Sequence, residues 1–283
     1  MCLSVTEALY LMGIKLTVIN NISEEIEREA VISLHENCPE ETKKAMGLHL
    51  IEVDDALIAA AEHESSILIN RTIGLGTKTP VETKALDEIT SSYKKLGIDS
   101  YFLHIYEDDV TAEVKQHLSK VGLVKTRGWM KFNRDMSPPN DAPTTLTIER
   151  VGRDKANDFG RIVCTAFGMT DASVPLLAGL ANDPRWYLYV SYEDGIAAGA
   201  GAMFVLGDSA FNEWGATNPE FRRRGSQSAI MAARIAKAID LGCTHMFTET
   251  GEAVEGDAQH SYKNIMKHGF VETRLRENYE PLS

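Results

Sequence analysis

Three consecutive arginines precede a glycine and a long helical pattern in a chain that is otherwise acidic. The residues of this stretch are Arg222, Arg223, Arg224, Gly225, Ser226, Gln227 and Ser228. Backbone N–H groups in the first turn of a helix have no partner within the helix, and the helix dipole favours an anion there. Arginines add charge-assisted hydrogen bonds, and a glycine lets a phosphate approach the backbone. The spacing therefore indicates a site for a ligand that carries phosphate.

A solvated surface cluster is the alternative interpretation of the three arginines, because a short motif alone does not decide between the two. Cations at the start of a helix oppose its dipole unless an anion is bound between them. That unfavourable interaction favours the ligand-loop interpretation.

The chain is acidic, with a net charge of -12 over 283 residues. This balance disfavours nucleic-acid binding, which requires a basic face. Apolar residues make up 43% of the chain, a globular value, and no run approaches the ~18 apolar residues that a membrane span requires. The four cysteines are scattered and the eight histidines form no ligand motif. We expect a cytoplasmic protein with free thiols and no bound metal, either a monomer or a homodimer.

The start of the chain is mildly apolar but lacks the basic residues that open a signal peptide. Glu7 precedes the short apolar run there, and Lys15 comes only after it. Translation from Met1 and translation from Met12 both remain open.

A proline-rich segment divides the chain. Pro138, Pro139 and Pro143 lie close together in it, and such spacing is incompatible with a helix or a central strand. We therefore predict a first domain over 12–135, a linker over 136–145 and a second domain over 146–283.

The two domains are predicted to be related by duplication. Gly122 near the end of the first corresponds to Gly269 near the end of the second, and a hydrophobic residue follows each. Upstream, Gly97 and Gly242 each separate a helical pattern from a strand pattern. The similar separations predict the same order of helices and strands in both domains.

The second domain alternates between strand and helix patterns. Its predicted strands are 146–151, 186–191, 197–205, 210–217, 244–249 and a last one after residue 269, and its predicted helices are 154–167, 174–181, 226–241 and 259–268. This order predicts an α/β domain, with a mixed sheet of the α+β kind.

That order of elements resembles the GNAT acetyltransferase superfamily over about residues 146–283. The matching residues are Pro219, Arg222 and Gly225 after the fourth strand, and Gly269 and Phe270 after the last helix. In that superfamily the loop binds the pyrophosphate of acetyl-CoA through backbone N–H groups. The resemblance therefore implies acetyl-CoA as the acyl donor. The length and layout are similar to bacterial proteins with tandem GNAT-like domains, of which the first is degenerate.

The resemblance also implies which residues contact acetyl-CoA. They are Ala216 and Thr217 on the fourth strand, Arg222, Arg223, Arg224, Gly225, Ser226, Gln227 and Ser228 in the loop, and Ser261 and Asn264 in the last helix. Gln227 stands where the superfamily has Gly or Ala. This departure is compatible with phosphate binding if the side chain points away from the loop.

In the first domain, residues 71–76 match the same loop motif, but the residues after Gly76 argue against a phosphate site. Thr79 is predicted to be an N-cap, with Pro80 at the first helical position and Glu82 closing a capping box. The N–H groups would then be satisfied by the chain's own side chains. We expect this domain to have a structural or acceptor-shaping role without binding CoA.

Acyl transfer to an amine requires a base for the amine proton and donors for the oxyanion. The resemblance implies that Glu213, six residues before Pro219, is the base and acts through water. Its strand neighbours, Phe211 and Trp214, are apolar and would raise its pKa, although a position on a wet strand face is the alternative. Gly215 is expected to mark a bulge that separates this strand from the next and exposes backbone groups to the pantetheine arm.

No general acid stands at the position that the superfamily often uses, because Ile265 occupies it. Ser261 and Tyr262 lie about one helical turn earlier and on nearly the same face. Either residue is a candidate for protonating the thiolate or for contacting the arm. Departure of the thiolate without an acid is the alternative.

The acidic segment 249–257 follows the fifth strand, near the expected entrance for the acceptor. It would attract a cationic amine, or it is a solvated loop. The acceptor is predicted to be a small-molecule amine, or the N-terminus or a lysine of a peptide. Because no Cys or Ser lies in a nucleophile motif, the expected reaction is direct N-acetyl transfer. The alternative is a CoA-binding sensor or structural module without catalysis.

Overall fold

The computed structural model describes residues 5–282, and for residues 5–18 it describes only the helical backbone. Met1, one of the two candidate start residues, lies outside the described residues. The first elements are α1 (Val5–Glu36), α2 (Glu40–Met46), β1 (Leu48–Val53), β2 (Ala56–Ala61), β3 (Arg71–Ile73), α3 (Thr83–Lys95), β4 (Phe102–Tyr106), α4 (Ala112–Lys120) and β5 (Leu123–Arg134). The later elements are β6 (Thr147–Val151), α5 (Ala156–Phe167), α6 (Val174–Ala178), β7 (Trp186–Glu193), β8 (Ile196–Leu206), β9 (Ser209–Thr217), α7 (Ser226–Asp240), β10 (His245–Gly251), α8 (His260–Lys267) and β11 (Val271–Pro281).

The later elements follow the order predicted for the second domain, and the mixed α/β architecture is confirmed. Each predicted strand and helix is present, with ends that differ by a few residues. α6 is shorter than predicted because the chain tightens into a 3-10 turn over Gly179–Asn182. In the hairpin between β7 and β8, Asp194 has φ 50° and Gly195 has φ 82°, the left-handed pair that a two-residue turn requires.

The eleven strands of residues 5–282 form one sheet, in the order β1-β2-β3-β4-β11-β5-β10-β9-β8-β7-β6. This order is not that of two separate sheets. β5, from the first predicted domain, lies between β11 and β10, whereas β11, from the second, lies between β4 and β5. Each predicted domain thus places its last strand beside the strands of the other. The linker 136–145 contains neither helix nor strand.

Helices cover both faces of the sheet around β9. Ala210 packs in the cluster that includes residues of α7 and α8, such as Met231 and Ile265. Phe211 packs in the cluster on the opposite face, with residues of α1 and α5. Because successive side chains of a strand alternate between its two faces, Glu213 faces α1 and α5.

α7 begins and ends where the sequence predicts. Gly225, with φ 84°, is its N-cap, and Gly242, with φ 77°, follows its last turn. These positive φ values suit glycine, which has no Cβ to clash with the backbone. The loop 218–225 therefore connects the end of β9 directly to the N-terminus of α7.

The capping box predicted for the first domain is wrong. α3 begins at Thr83 and not after Thr79, and its N-cap, Glu82, makes no side-chain capping bond. Pro80 lies in the coil before the helix. The reason is a competing contact, since the backbone of Lys78 and that of Thr79 both donate to the carboxylate of Asp55, at 2.8 and 3.2 Å.

Candidate active site

The neighbouring strands β9 and β10 separate at a defined point. Their parallel ladder ends where Asn212 pairs with Thr248. Beyond this pair, β9 continues along β8 as far as Thr217, and β10 continues along β5 as far as Gly251. The facing edges of β9 and β10 therefore diverge into an opening in the sheet.

A bulge bends β9 beside this opening. Between Glu213 and Ala216, β9 has two residues, Trp214 and Gly215, where β8 has one. Trp214 has φ 55°, in the left-handed region that an L-residue rarely adopts. A bulge bends the strand that contains it, so the expected irregularity beside Gly215 is present at the edge of the opening.

Gln227 fills the space beneath the bulge. Its amide donates to the carbonyl oxygen of Ala200, at 3.0 Å, and to that of Ala216. A Cβ at Gly215 would lie 2.9 Å from Oε1 of Gln227. The side chain therefore points into the sheet, away from the arginine loop, and only its backbone N–H is available to a phosphate.

Arg234, which the sequence did not single out, lies under the same bulge. Its guanidinium donates to the carbonyl oxygens of Ala202, at 2.8 Å, and of Glu213, at 3.3 Å. Gly201 leaves room for it, because a Cβ there would lie 3.2 Å from Cζ of Arg234. Burial lowers the pKa of Arg234 to about 10. The buried cation thus fixes the backbone on which Glu213 is placed.

The opening continues as a cavity of about 380 Å³ that is lined from both faces of the sheet. The residues on the face of α7 and α8 include Gln227, Met231, His260, Ser261, Asn264 and Ile265, and those on the face of α1 and α5 include Leu68, Arg71, Trp129, Phe167, Glu213 and Glu249. Leu68, Arg71 and Trp129 come from the first predicted domain. Residues of both predicted domains therefore form the walls of one cavity.

One guanidinium joins two carboxylates at the point where the strands part. Arg71 donates from Nη2 to Glu213, at 3.1 Å, and from Nη1 to Glu249, at 3.2 Å. The side chains of Glu213 and Glu249 are 10% and 9% exposed. The sequence motif places Arg71 in a degenerate phosphate loop. In the structure it belongs to β3, and its side chain contacts Glu213, the residue expected to act as base.

The pKa of Glu213 is raised to about 7. Burial is the largest cause, and Arg71 opposes it while the neighbouring charge of Glu249 adds to it. Burial also raises the pKa of Glu249, against the effect of Arg276. A carboxyl with a pKa near neutrality takes up and releases protons at physiological pH, which a general base requires.

A buried network of charge lies behind this pair. Glu27 of α1 accepts hydrogen bonds from Lys131 and, at 2.7 and 3.0 Å, from Arg276, and it lies 3.5 Å from Arg71. Arg276 also donates to Glu249, at 2.7 Å. Burial opposes ionisation of Glu27, but the three cations hold its pKa well below the usual range. The network joins α1, β3, β5, β10 and β11 across the two predicted domains.

The arginine loop presents free backbone donors. Among residues 5–282, none of the N–H groups from 223 to 228 donates to another backbone group, and α7 has no side-chain N-cap. Arg223 and Gly225 have φ values of 63° and 84°. Successive N–H groups in such a turn form a concave anion site at the positive end of a helix dipole.

The three arginines are not equivalent. All three are exposed, but Arg224 also forms an ion pair with Glu193 and stacks over the ring of Phe221. The linker packs against this loop, because Thr144 donates to the carbonyl of Arg224 at 2.7 Å. Two arginines therefore remain available for a ligand.

The remaining loop residues can offer a ligand mainly their backbone groups, because their side chains are already hydrogen-bonded. The hydroxyl of Ser226 is buried against that of Ser191, at 2.9 Å, and the hydroxyl of Ser228 is hydrogen-bonded to His268, at 2.8 Å. Ala216 and Thr217 end β9 on the edge that faces the opening. Neither residue lines the cavity, and the carbonyl of Ala216 already accepts a hydrogen bond from Gln227.

The residues predicted on the last helix divide into two groups. Ser261 and Asn264 line the cavity, as does Ile265. Tyr262 does not line it, because its ring packs on Phe132 and its hydroxyl donates to Glu272. Of the two candidate acids, the structure brings only Ser261 to the cavity, whereas Tyr262 is engaged outside it.

The acidic segment 249–257 is partly neutralised by the first domain. Arg127 donates to the carbonyl of Glu252, at 2.7 and 3.0 Å, and pairs with Asp257. The carboxylate of Glu252 accepts from the N–H of Gly128 at 2.6 Å. Glu249 is thus the residue of this segment that faces the buried charge network.

Comparison with solved structures identifies the fold. The chain is similar to a GCN5-related N-acetyltransferase from Kribbella flavida, with 14% identity and a TM-score of 0.59 over 83% of this chain and 90% of that one. A GCN5-related N-acetyltransferase from Sphaerobacter thermophilus matches with 12% identity and a TM-score of 0.57, over 80% and 79% of the two chains. A tandem GNAT protein from the clavulanic acid biosynthesis pathway matches with 11% identity and a TM-score of 0.50, over 74% and 73%.

The chain therefore has the GNAT fold, and the resemblance drawn from the sequence is confirmed at the level of the fold. No family model and no curated protein matches it. Within residues 5–282, no helix is both long and apolar enough to cross a membrane. Within residues 19–282, whose side chains the structure describes, no cluster of three or more His, Cys, Asp or Glu is arranged to bind a metal ion.

Proposed function

We propose that the protein is an N-acetyltransferase that transfers the acetyl group of acetyl-CoA directly to an amine. The observation that carries this proposal is the position of Glu213. It stands where β9 and β10 part, its carboxyl lines the cavity, and burial raises its pKa to about 7. A base with this pKa beside a gap in the sheet is suited to deprotonating an amine.

Acetyl-CoA would enter from the face of α7 and α8. Its pyrophosphate would accept hydrogen bonds from the N–H groups of residues 223–228, with Arg222 and Arg223 adding charge. The pantetheine arm would lie between β9 and β10, beside Ala216 and Thr217. Ser261 and Asn264 line the cavity on the same face and would contact the arm.

The proposed chemistry is attack of the amine nitrogen on the thioester carbon. Glu213 takes the amine proton through a water molecule, a new C–N bond forms, and the C–S bond breaks with its electron pair on sulfur. A backbone N–H of the bulge at Trp214 and Gly215 would stabilise the oxyanion. The hydroxyl of Ser261 is the candidate donor to the departing thiolate, a leaving group that tolerates a weak acid.

We propose that the second domain, 146–283, binds acetyl-CoA and that the first, 12–135, completes the acceptor side. In the first domain, Asp55 accepts hydrogen bonds from the N–H groups of Lys78 and Thr79, so an internal carboxylate takes the place of a phosphate. Arg71 and Trp129 of that domain line the shared cavity. One acetyl-CoA per chain is therefore expected.

The test combines calorimetry with an assay of CoA release. Acetyl-CoA is titrated into the purified protein, and release is then followed with aliphatic amines, aromatic amines, polyamines, amino acids and a lysine peptide. We expect binding of one acetyl-CoA per chain and amine-dependent release, with release lost and binding kept in Glu213→Gln. Absence of acetyl-CoA binding would refute the proposal.

A CoA-binding sensor is the second candidate, favoured by Ile265 at the position of the usual tyrosine acid and by the ion pair that engages Glu213. Binding of acetyl-CoA without CoA release by any of these amines would favour the sensor.

A further inference from the structure

The cavity has an apolar rim on the face of α1 and α5. Leu68 precedes β3, Trp129 lies on β5 and Phe167 ends α5, and all three line the same cavity as Glu213. Phe167 is 43% exposed and lines the cavity, so part of its ring is open to an apolar group placed there. The rim lies on the face opposite α7, so it borders the path by which an acceptor would reach Glu213.

The basic side chains that line the cavity are all engaged or on the other face. Arg71 is shared among three carboxylates, those of Glu27, Glu213 and Glu249. Arg234 donates to backbone carbonyls under the bulge, and His260 begins α8 on the opposite face. Among the described residues on the face of α1 and α5, no lining cation is left to pair with a carboxylate of the acceptor.

We call the part of the cavity between the apolar rim and Glu213 the chamber. The carboxylates at its base favour an amine on the acceptor and disfavour a carboxylate. Glu213 and Glu249 both line the cavity and already share Arg71, so an acceptor carboxylate placed there would meet two like charges and no free cation. An ammonium or amine group would find hydrogen-bond acceptors there, in the oxygens of both carboxylates. A second charged group farther out would lie against Trp129 and Phe167 and lose part of its hydration, which is unfavourable for an ion without a partner.

Size restricts the acceptor further. A volume of about 380 Å³ is at the small end of the range for ligand pockets. The thioester end of the arm must occupy part of it. The space beside the rim is therefore limited to a compact apolar group.

On the basis of the proposed function, we infer that the acceptor is a small primary amine on an uncharged apolar body, and that amino acids and diamines are poor acceptors. The amine lies at Glu213 and Glu249, and the apolar body packs between Leu68, Trp129 and Phe167.

Two matched pairs of amines test the inference with the full-length protein and saturating acetyl-CoA. 2-Phenylethylamine and phenylalanine differ by one carboxylate, and hexylamine and 1,6-diaminohexane differ by one ammonium. We expect kcat/KM for 2-phenylethylamine to exceed that for phenylalanine on the order of 100-fold, because like charges oppose each other in the chamber. We expect hexylamine to exceed 1,6-diaminohexane about tenfold. The reverse order in either pair would overturn the inference.

Two variants test the role of the rim. Phe167→Ala removes an aromatic wall and should raise KM for 2-phenylethylamine about tenfold with little change in kcat. Ile196→Ala is the matched control, since Ile196 is also an exposed apolar residue, at 60%, but lies in the β7–β8 hairpin away from the cavity. Equal KM values for the two variants would contradict the assignment of the rim.

Failure of the inference is distinguishable from failure of the proposed function. Acetylation of phenylalanine or 1,6-diaminohexane in preference to its partner would overturn the acceptor class and leave the N-acetyltransferase intact. If no amine releases CoA, 2-phenylethylamine is titrated by calorimetry into the protein with CoA bound. Binding would then support the chamber as an amine site, and absence of binding would overturn it.

Discussion

The guanidinium of Arg71 donates to the carboxylate of Glu213 at 3.1 Å across 142 positions of the chain. Arg71 belongs to the first predicted domain and Glu213 to the second. The exchange of β5 and β11 brings them together, since it places the strands of both domains in one sheet. The ion pair opposes the effect of burial on the pKa of Glu213. An arginine of the first predicted domain thus favours the deprotonated form of Glu213 in the second.

Glu213 is expected to set the pH dependence of acetylation. A base acts when it is deprotonated, so kcat/KM should rise through a pKa of about 7 and fall about tenfold per pH unit below it. Glu213→Gln should lower kcat by about 10² to 10⁴-fold and abolish this acidic limb. The measurement is CoA release from pH 5 to 9 with the best amine, alongside calorimetry to check that acetyl-CoA still binds. An unchanged limb in the variant would assign the titration to another group.

Two neighbours of Glu213 are expected to move this limb in opposite directions. Arg71→Met removes the charge that favours the carboxylate, so the pKa of Glu213 and the acidic limb should shift to higher pH. Glu249→Gln removes a like charge, so the limb should shift to lower pH. The pH profiles of the two variants check the signs. Shifts in the same direction would indicate a change of structure in place of a change of charge.

The arginine loop offers a comparison within one motif. Arg222→Ala combined with Arg223→Ala should weaken acetyl-CoA binding about tenfold to 100-fold, as expected for loss of charge-assisted hydrogen bonds. Arg224→Ala should have a smaller effect, because Glu193 already pairs with that guanidinium. Calorimetry at low and high salt measures both, and the difference should shrink as salt screens the charges.

A variant at Gly225 is a poorer test of the same loop. Gly225 has φ 84°, and a Cβ there would lie 2.8 Å from the carbonyl oxygen of Pro143 in the linker. A side chain would therefore distort the loop before it affected a phosphate.

The comparison of the arginine variants has a contradicting outcome. If Arg224→Ala weakens acetyl-CoA binding as much as the Arg222 and Arg223 double variant does, the ion pair with Glu193 does not reduce the contribution of Arg224.

The sequence predicted what is determined locally. The order of the second domain followed from helical spacing and from glycine caps such as Gly242, and the bulge followed from Gly215 in an apolar strand. Contacts between distant segments were not predicted, because no local pattern encodes them. The match of residues 71–76 to the phosphate-loop motif concealed the role of Arg71. A lone arginine after the apolar run 67–69 was a signal of that role, because a buried charge requires a partner. Tyr262 lay on a suitable helix face, but Glu272 on β11 engages its hydroxyl.

Gly215 and Gln227 are expected to be energetically coupled. Gly215→Ala alone brings a methyl group to 2.9 Å from Oε1 of Gln227 and should displace the amide that joins Ala200 to Ala216. Gln227→Ala alone removes the amide that donates to both carbonyls and should lower the free energy of unfolding by about 1–3 kcal/mol. The double variant should be less destabilised than the sum of the two, since the clash is absent once Gln227 is truncated. Urea unfolding of all four proteins measures the coupling, and strict additivity would contradict the contact.

The buried charge network is expected to stabilise the union of the two domains. Glu27→Ala leaves Lys131 and Arg276 buried without their shared carboxylate, and loss of one partner of a buried ion pair lowers the free energy of unfolding by about 3–5 kcal/mol. Glu52→Ala is the control, because Glu52 also pairs with an arginine, Arg28, but its side chain is 73% exposed. A surface pair of this kind contributes about 0–1 kcal/mol. Urea unfolding compares the two variants, and a loss in Glu27→Ala as small as that in Glu52→Ala would mean that water reaches the network and replaces the missing carboxylate.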